Sequence, residues 1–415
     1  MVPEGWETIT LKDVGKCITG LTYSPRNVAG NGLLVLRSSN IQDSKLAFED
    51  NVYVDLNIAK ESETKYGDIL LCVRNGSRRL IGKSAFITKT AEGYAHGAFM
   101  GLFRPDETAE FTFQMFQSTS FFRQVNQNLG ATINSINSGN LYRFKFHYPP
   151  IEERNKIAKI LSTWDKAIST TESLIDNSKQ QKKALMQQLL TGKKRFLRFD
   201  GDWEDKHLNE VAQIIVSPVD KKTIEGETPV ELCNYTDVYY NIRITNTLAF
   251  MKATAKQSEI DKYSLQAGDV IITKDSETPG DIAVPALVSE DLNGVLCGYH
   301  LAIVRPSKDQ IHDAFLNYLF SMQKTRYYFF TLATGATRFG LSVGAINKAH
   351  FRIPPLEEQK KIALVLTNAD KEIELLKQQL SDLKQEKKAL MQQLLTGKRR
   401  VKIETNDFEK DCQNG

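Results

Sequence analysis

The sequence predicts an α+β protein. Two globular domains are separated by two long antiparallel coiled-coil helices, and the whole is pseudo-twofold symmetric. Three observations carry this expectation. A helical stretch is written twice, at 149–196 and 354–401, aligning without a gap at an offset of 205. Within it, Lys182–Lys193 equals Lys387–Lys398 at all twelve positions, which makes the chain an internal repeat. The stretches ahead of each copy correspond more faintly and break into short apolar runs between Gly, Asn and Asp, the pattern of strands and turns.

The first domain is expected over 1–148. Runs at Leu33–Leu36, Asp68–Val73, Ser84–Thr88 and Met100–Phe103 read as strands of a mixed or antiparallel sheet, and Phe111–Gln127 reads as helix. The first spacer helix, 149–192, opens on Pro149-Pro150 followed by Glu152-Glu153. Proline suits a first turn, and carboxylates there face the positive end of the helix dipole. It ends at Gly192, which can adopt the left-handed cap conformation. Some 40 residues without Pro or Gly lie between, giving a helix of roughly 60 Å.

The second domain, 193–352, repeats the first. Trp6, Leu11 and Val14 match Trp203, Leu208 and Val211 at an offset of 197. Gly67-Asp68 matches Gly268-Asp269, and Arg104-Pro105 matches Arg305-Pro306, both at 201. Gly130-Ala131-Thr132 matches Gly335-Ala336-Thr337 at 205. The growing offset places about eight extra residues in loops of the second copy. Val270–Thr273 and Leu301–Val304 read as strands and Asp313–Phe330 as helix.

The second spacer helix covers 353–398, and a polar tail, 399–415, follows it. Its apolar residues alternate four and three apart: Ile362, Leu366, Ala369, Ile373, Leu376, Leu380 and Leu383, then Leu390 and Leu394. The first helix keeps the same seam, interrupted by Thr171, Ser178 and Lys182. This is coiled-coil spacing. Two helices of one chain, each following a similar domain, pack most simply antiparallel.

Composition narrows the function. Hydrophobic residues make up 41% and charged residues 25% of 415, an ordinary soluble composition. No membrane span and no secretory leader are expected, and five dispersed cysteines point to a reduced, cytoplasmic protein. The net charge of +4 is too small to announce nucleic-acid binding. The first domain holds 16 basic and 14 acidic side chains and the second 19 and 20, so any binding must rest on local patches.

Such patches sit at strand ends. In the first domain the candidate DNA-binding residues are Arg37, Ser38 and Asn40, then Arg74, Asn75, Arg78, Arg79 and Lys83. In the second they are Asn234, Tyr235, Tyr239, Lys274, Ser276 and Arg338. Arg, Lys and Asn supply hydrogen bonds to base edges, and the same donors hold phosphates. Solvated surface loops are the plainer alternative for any one of them. The helices are nearly charge-balanced, with seven basic and five acidic side chains over 149–192, so they do not grip DNA. Ordinary packing needs the heptad but not an identical Ala-Leu-Met-Gln-Gln-Leu-Leu. The repeat therefore marks a partner site presented twice, by Leu185, Met186, Leu189 and Leu190 and by Leu390, Met391, Leu394 and Leu395.

Nothing reads as catalytic. Gly76–Ser84 has five residues between its glycines, and a strand rather than a helix follows, so no helix N-terminus would meet a phosphate. The six histidines lack metal-ligand spacing, and neither metal nor cofactor is expected in the chain. The Pro-Pro pairs lack the flanking Asn or Asp and the aromatic of a DNA amino-methyltransferase.

The arrangement resembles the specificity subunit of type I restriction–modification systems. The resemblance covers residues 1 to about 398. It rests on Pro149-Pro150-Ile151-Glu152-Glu153, Pro354-Pro355-Leu356-Glu357-Glu358-Gln359, the repeated Lys-Lys-Ala-Leu-Met-Gln-Gln-Leu-Leu-Thr-Gly-Lys and the two Gly-Asp pairs. It implies a non-catalytic subunit in which each variable domain is a target recognition domain reading one half of a split, asymmetric double-stranded DNA target. The helix pair would fix the spacing and dock two methyltransferase subunits, which bind S-adenosylmethionine and methylate a flipped adenine. Restriction subunits, using ATP and Mg, would join them. A stand-alone DNA-binding regulator and a purely structural coiled-coil adaptor are the competing readings. Co-purification of a methyltransferase separates the first reading from both.

Overall fold

The computed structural model describes residues 2–129, 134–220 and 222–403. The Gly130-Ala131-Thr132 match and the tail from 404 onward lie outside the described residues.

Both long helices form, Ile151–Leu189 and Leu356–Leu394, each of 39 residues. Each starts directly after its Pro-Pro pair. Gly192 and Gly397 stand beyond the last turns with φ of 70° and 68°, and their amides donate back to Leu189 O and Leu394 O. A side chain at Gly397 would strike Pro3, 2.3 Å from the ideal Cβ, so glycine also lets the N-terminal segment pack on the helix end.

The first domain holds an antiparallel sheet in the order Gly15–Thr19, Met100–Pro105, Ile69–Cys72, Ser84–Phe86. A second small sheet pairs Leu33–Leu36 in parallel with Ala95–His96. The second domain repeats this plan. Its larger sheet runs Ala212–Val216, Leu301–Pro306, Val270–Thr273, Pro285–Val288, with Arg243–Ile244 at the edge. Its smaller sheet pairs Thr228–Cys233 in parallel with Val295–Cys297. Each domain is closed at its base by a two-stranded ribbon, Glu7–Thr10 with Lys145–Tyr148 and Glu204–His207 with His350–Ile353. The fold is thus mixed α+β with two repeated domains.

The expected strands form within a residue or two. The two expected helices each split. Over 111–127 the structure has Ala109–Phe116 and Thr119–Asn128, because Ser118 turns extended and its Oγ accepts from Phe121 N at 3.2 Å. The second breaks at Met322, which is also extended, between Asp313–Ser321 and Gln323–Leu332. Part of the extra length of the second copy is helix rather than loop, in Gln257–Tyr263.

The chain divides into two compact units that do not follow chain order: Met1–Glu172 with Gln378–Gly415, and Ser173–Lys377. Each unit therefore holds one globular domain, the first part of one long helix and the last part of the other. In the first unit Lys387 Nζ meets Asp165 Oδ1 at 2.6 Å and Lys384 Nζ meets Glu172 Oε1 at 2.9 Å. In the second Lys182 pairs with Asp370, and Ser178 Oγ donates to Glu372 Oε1 at 3.2 Å. Rising numbers on one helix meet falling numbers on the other, so the segments run antiparallel within each unit. Phe103, Phe111, Phe116 and Phe121 fill the first core, and Phe315, Phe320 and Phe329 the second.

Candidate nucleic-acid interface

The faint sequence matches turn out to be the framework beneath the loops. Asp68 and Asp269, each 1% exposed, accept two hydrogen bonds apiece from Arg104 and Arg305, all at 2.7–2.8 Å. Arg104 also donates to the carbonyls of Glu61 and Glu63, and Arg305 to that of Ser264. Paired forks of this kind fix geometry as well as charge, and they anchor the start of the central strand in each domain. A second pair of joints lies where each helix begins. Arg400 donates twice to Glu153 at 2.8 Å, and Arg195 donates to both oxygens of Glu358 at 3.0 and 2.7 Å. Both carboxylates are fully buried. Burial pushes the Glu153 carboxyl up, but Arg400 and the Trp6 indole N–H outweigh it and hold it below the ordinary glutamate range. Sequence reading credited Glu153 and Glu358 to the helix dipole. The signal missed was Arg195 and Arg400 standing at the same offset of 205.

Above this framework the candidate residues fall into two groups of loops. In the first domain, Arg37–Asn40 and Arg74–Arg79 come together: Asn75 Nδ2 donates to Ser38 Oγ at 3.3 Å. Asn40 is a correction. It is fully buried, its Oδ1 accepts from Arg37 N at 2.9 Å and its Nδ2 donates to Ala47 O at 2.9 Å, so it holds the loop and faces no ligand. Arg37 is tied to Asp50 at 2.8 Å and Arg78 to Asn126 O at 3.2 Å. Arg79 is exposed, and Lys83 is half-buried at the start of Ser84–Phe86.

Arg74 differs from its neighbours. It is exposed, its backbone N–H donates to Phe99 O at 3.0 Å, and its guanidinium lies 5.6 Å from the centroid of Phe99, itself 61% exposed. Among the described residues that guanidinium makes no hydrogen bond or ion pair.

In the second domain, Asn234 caps Tyr235–Tyr239, and its own amide donates to Asp237. Tyr235 stacks on Tyr239 at 5.5 Å and its hydroxyl lies 3.2 Å from Ser276 Oγ. Burial raises the Tyr235 phenol, so it stays protonated. Tyr239 donates to Asp281. Lys274, His300 and Arg338 converge on Asp275, which is not among the sequence candidates. Lys274 Nζ lies 3.1 Å from Asp275 Oδ2, His300 Nδ1 2.6 Å from Oδ1, and Arg338 Nε 3.5 Å from Oδ1. Ser276 is itself buried.

The two groups occupy one place in the repeated frame. Asp275 stands 201 beyond Arg74 and His300 201 beyond Phe99. Arg74 bridges to Ser135, and Asp275 pairs with Gly340, 205 later. Asn234 stands 197 beyond Arg37, each capping the turn that follows a parallel-paired strand. One scaffold is thus filled with unlike side chains in its two copies.

The repeated helix residues have a different setting from the one expected. Leu189 and Leu190 are buried in the second domain's core with Trp203, and Met391 and Leu394 in the first domain's core with Trp6, Ile157 and Leu161. Leu185, Met186, Leu390 and Leu395 pack half-buried against the same cores. As a partner surface they are a correction, because internal packing occupies them. What each copy leaves exposed is Lys183, Ala184, Gln187 and Gln188, and Lys388, Ala389, Gln392 and Gln393.

The described cysteines are free thiols, and burial raises Cys17 to about 11, with Cys72, Cys233 and Cys297 also raised, so none is an activated nucleophile. Among the described residues, no helix is long and apolar enough to cross a membrane, and no three metal-ligating side chains cluster.

The model of the type I restriction modification DNA specificity domain matches the chain twice, over residues 3–178 and 200–385. The chain belongs to this family. Its members carry the DNA-specificity role of restriction–modification systems, and the twin match falls on the two halves of the repeat. The chain is 28% identical to a putative type I restriction enzyme MjaX specificity subunit of Methanocaldococcus jannaschii, over 97% of this chain and 95% of that protein. It is 24% identical to the EcoKI specificity subunit of Escherichia coli, over 87% and 81%. Among solved structures, a type I restriction–modification S subunit from M. genitalium aligns with a TM-score of 0.59 at 15% identity, covering 95% of this chain and 96% of that one. A chain from a type I R-M assembly aligns with a TM-score of 0.58 at 16% identity, covering 96% and 100%. These structural likenesses concern the fold.

Proposed function

We propose that this specificity-family chain reads a bipartite, asymmetric DNA sequence, with residues 1–148 and 193–352 each acting on one half-site. The carrying observation is the pair of loop clusters: one framework, two chemistries. A chain that read a palindrome would gain nothing from filling equivalent positions with Arg74 and Asp275, or Phe99 and His300. Residues 149–192 and 353–398 act as an antiparallel spacer. Three contacts support pseudo-twofold symmetry, each recurring at an offset of 205: Asp165–Lys387 with Asp370–Lys182, Glu153–Arg400 with Glu358–Arg195, and the caps at Gly192 and Gly397. A helix of roughly 60 Å spans nearly two duplex turns of about 34 Å, which suits half-sites about one turn apart.

Two adenine methyltransferase subunits dock on the exposed, polar face of the repeated helix segment, around Gln187 and Gln392. Restriction subunits join through them. S-adenosylmethionine, ATP and Mg belong to those partners, and the assembly works in the cytoplasm. This chain supplies recognition and spacing, and no chemical step.

Co-expression with its methyltransferase in a methylation-free host, followed by single-molecule mapping of N6-methyladenine, is expected to give two short defined blocks around a fixed gap. A contiguous motif, or no methylation from a soluble assembled complex, would reject the reading.

A further inference from the structure

The loop clusters carry more than the statement that each domain reads DNA. In both copies a guanidinium is presented beside the ring that precedes an inner strand of the larger sheet, Met100–Pro105 or Leu301–Pro306. In the first domain Arg74 lies over Phe99 at 5.6 Å. In the second Arg338 Nη2 lies 3.1 Å from His300 Nε2, and His300 is the positional counterpart of Phe99. The two arginines come from different segments, one from the end of Ile69–Cys72 and one from the loop before Phe339–Gly340. They converge on the same support. Most other loop cations are occupied: Arg37 by Asp50, Arg78 by a carbonyl, Lys274 by Asp275.

The second cluster packs a ring and a buried carboxylate around its guanidinium. Asp275 is 8% exposed and sits 2.6 Å from His300 Nδ1. Arg338 Nη2 lies 3.1 Å from His300 Nε2 and 3.3 Å from Nδ1, so the guanidinium rests against the ring rather than on one nitrogen, and Arg338 Nε lies 3.5 Å from Asp275 Oδ1. Ring and carboxylate together hold a guanidinium whose side chain is still 57% exposed. A planar fork held against a ring has lost much of its freedom before any ligand arrives. That is what bidentate recognition of guanine O6 and N7 requires, whereas a phosphate asks only for charge.

We infer that Arg74 and Arg338 are specificity-determining residues, each selecting a guanine in its own half-site, with Asp275 and His300 as positioning residues for Arg338. This inference rests on the half-site reading above and adds base identity to it.

The test is the same methylation map, made for the assembled complex carrying Arg74→Ala, Arg74→Lys, Arg338→Ala, Arg338→Lys or Asp275→Asn. Arg74→Ala and Arg74→Lys are expected to relax one position of one half-site, discrimination for guanine there falling roughly ten- to hundredfold. The other half stays intact. Arg338→Ala and Arg338→Lys are expected to relax one position of the opposite half, and Asp275→Asn that same position. A merely structural Asp275 would instead lower methylation evenly without changing the motif, which overturns its role. Methylation reduced uniformly by Arg74→Ala and restored by Arg74→Lys would identify a phosphate contact and overturn the inference. So would an unchanged motif in both arginine variants. Absence of any split motif in the unsubstituted complex would instead defeat the half-site reading itself, so the two failures are distinguishable.

Discussion

Leu394→Asp is expected to unfold the first unit before it can report on any partner. Leu394 is 2% exposed, in one cluster with Trp6, Ile157, Leu161 and Met391. An unpaired carboxylate there loses the leucine's packing and adds the cost of an isolated buried charge, together more than about 4 kcal/mol. Against a domain stability of about 5–15 kcal/mol, that removes most of the margin. Thermal melting should show the loss in the isolated chain, with no methyltransferase present. The exposed neighbour Gln392→Glu is expected to leave the melting temperature unchanged and to weaken assembly with the methyltransferase, read by co-purification. A Leu394→Asp chain that melts normally yet fails to assemble would restore the leucines as the docking surface.

The second large effect is expected at Arg104. Replacing it by alanine leaves Asp68, 1% exposed, without either of its fork hydrogen bonds, and the carbonyls of Glu61 and Glu63 lose their donor. Breaking one side of a buried pair costs about 3–5 kcal/mol, whereas replacing both sides by packed apolar groups can be close to neutral. Urea denaturation should place Arg104→Ala far below the unsubstituted chain, and Arg104→Met combined with Asp68→Leu above the single variant. If Arg104→Ala unfolds at the normal midpoint, the pair does not anchor the central strand.

Much of this architecture was legible in the sequence because it is written twice. The twelve identical residues revealed both helices, and Pro-Pro and Gly fixed their ends, since these residues restrict or permit the backbone locally. Strands such as Leu33–Leu36 and Val270–Thr273 were legible as apolar runs. Two things were not. The break at Ser118 is a choice between continuing a helix and capping a new one, decided by how Phe116 and Phe121 pack into the core. The roles of loop polar groups were hidden for the same reason. Asn40 and Arg74 look equally suited to a base edge, yet tertiary contacts bury one and leave the other exposed. Asp275 lies between the candidates Lys274 and Ser276, yet a carboxylate is no obvious DNA ligand, and His300 stands in no motif. Their meaning lies in a contact between residues 275, 300 and 338, which no local pattern encodes. The identical heptapeptide misled for a related reason: the same two tryptophan-bearing cores need the same helix end, so identity reflects repeated packing as well as any repeated dock.

The central claim is that one domain reads one half of the target. It is tested most directly by replacing residues 1–148 with the first domain of another family member, keeping 149–415, and mapping adenine methylation with the cognate methyltransferase. One block of the split motif is expected to change while the second block and the gap length persist. A change in both blocks, or in the gap alone, would contradict it.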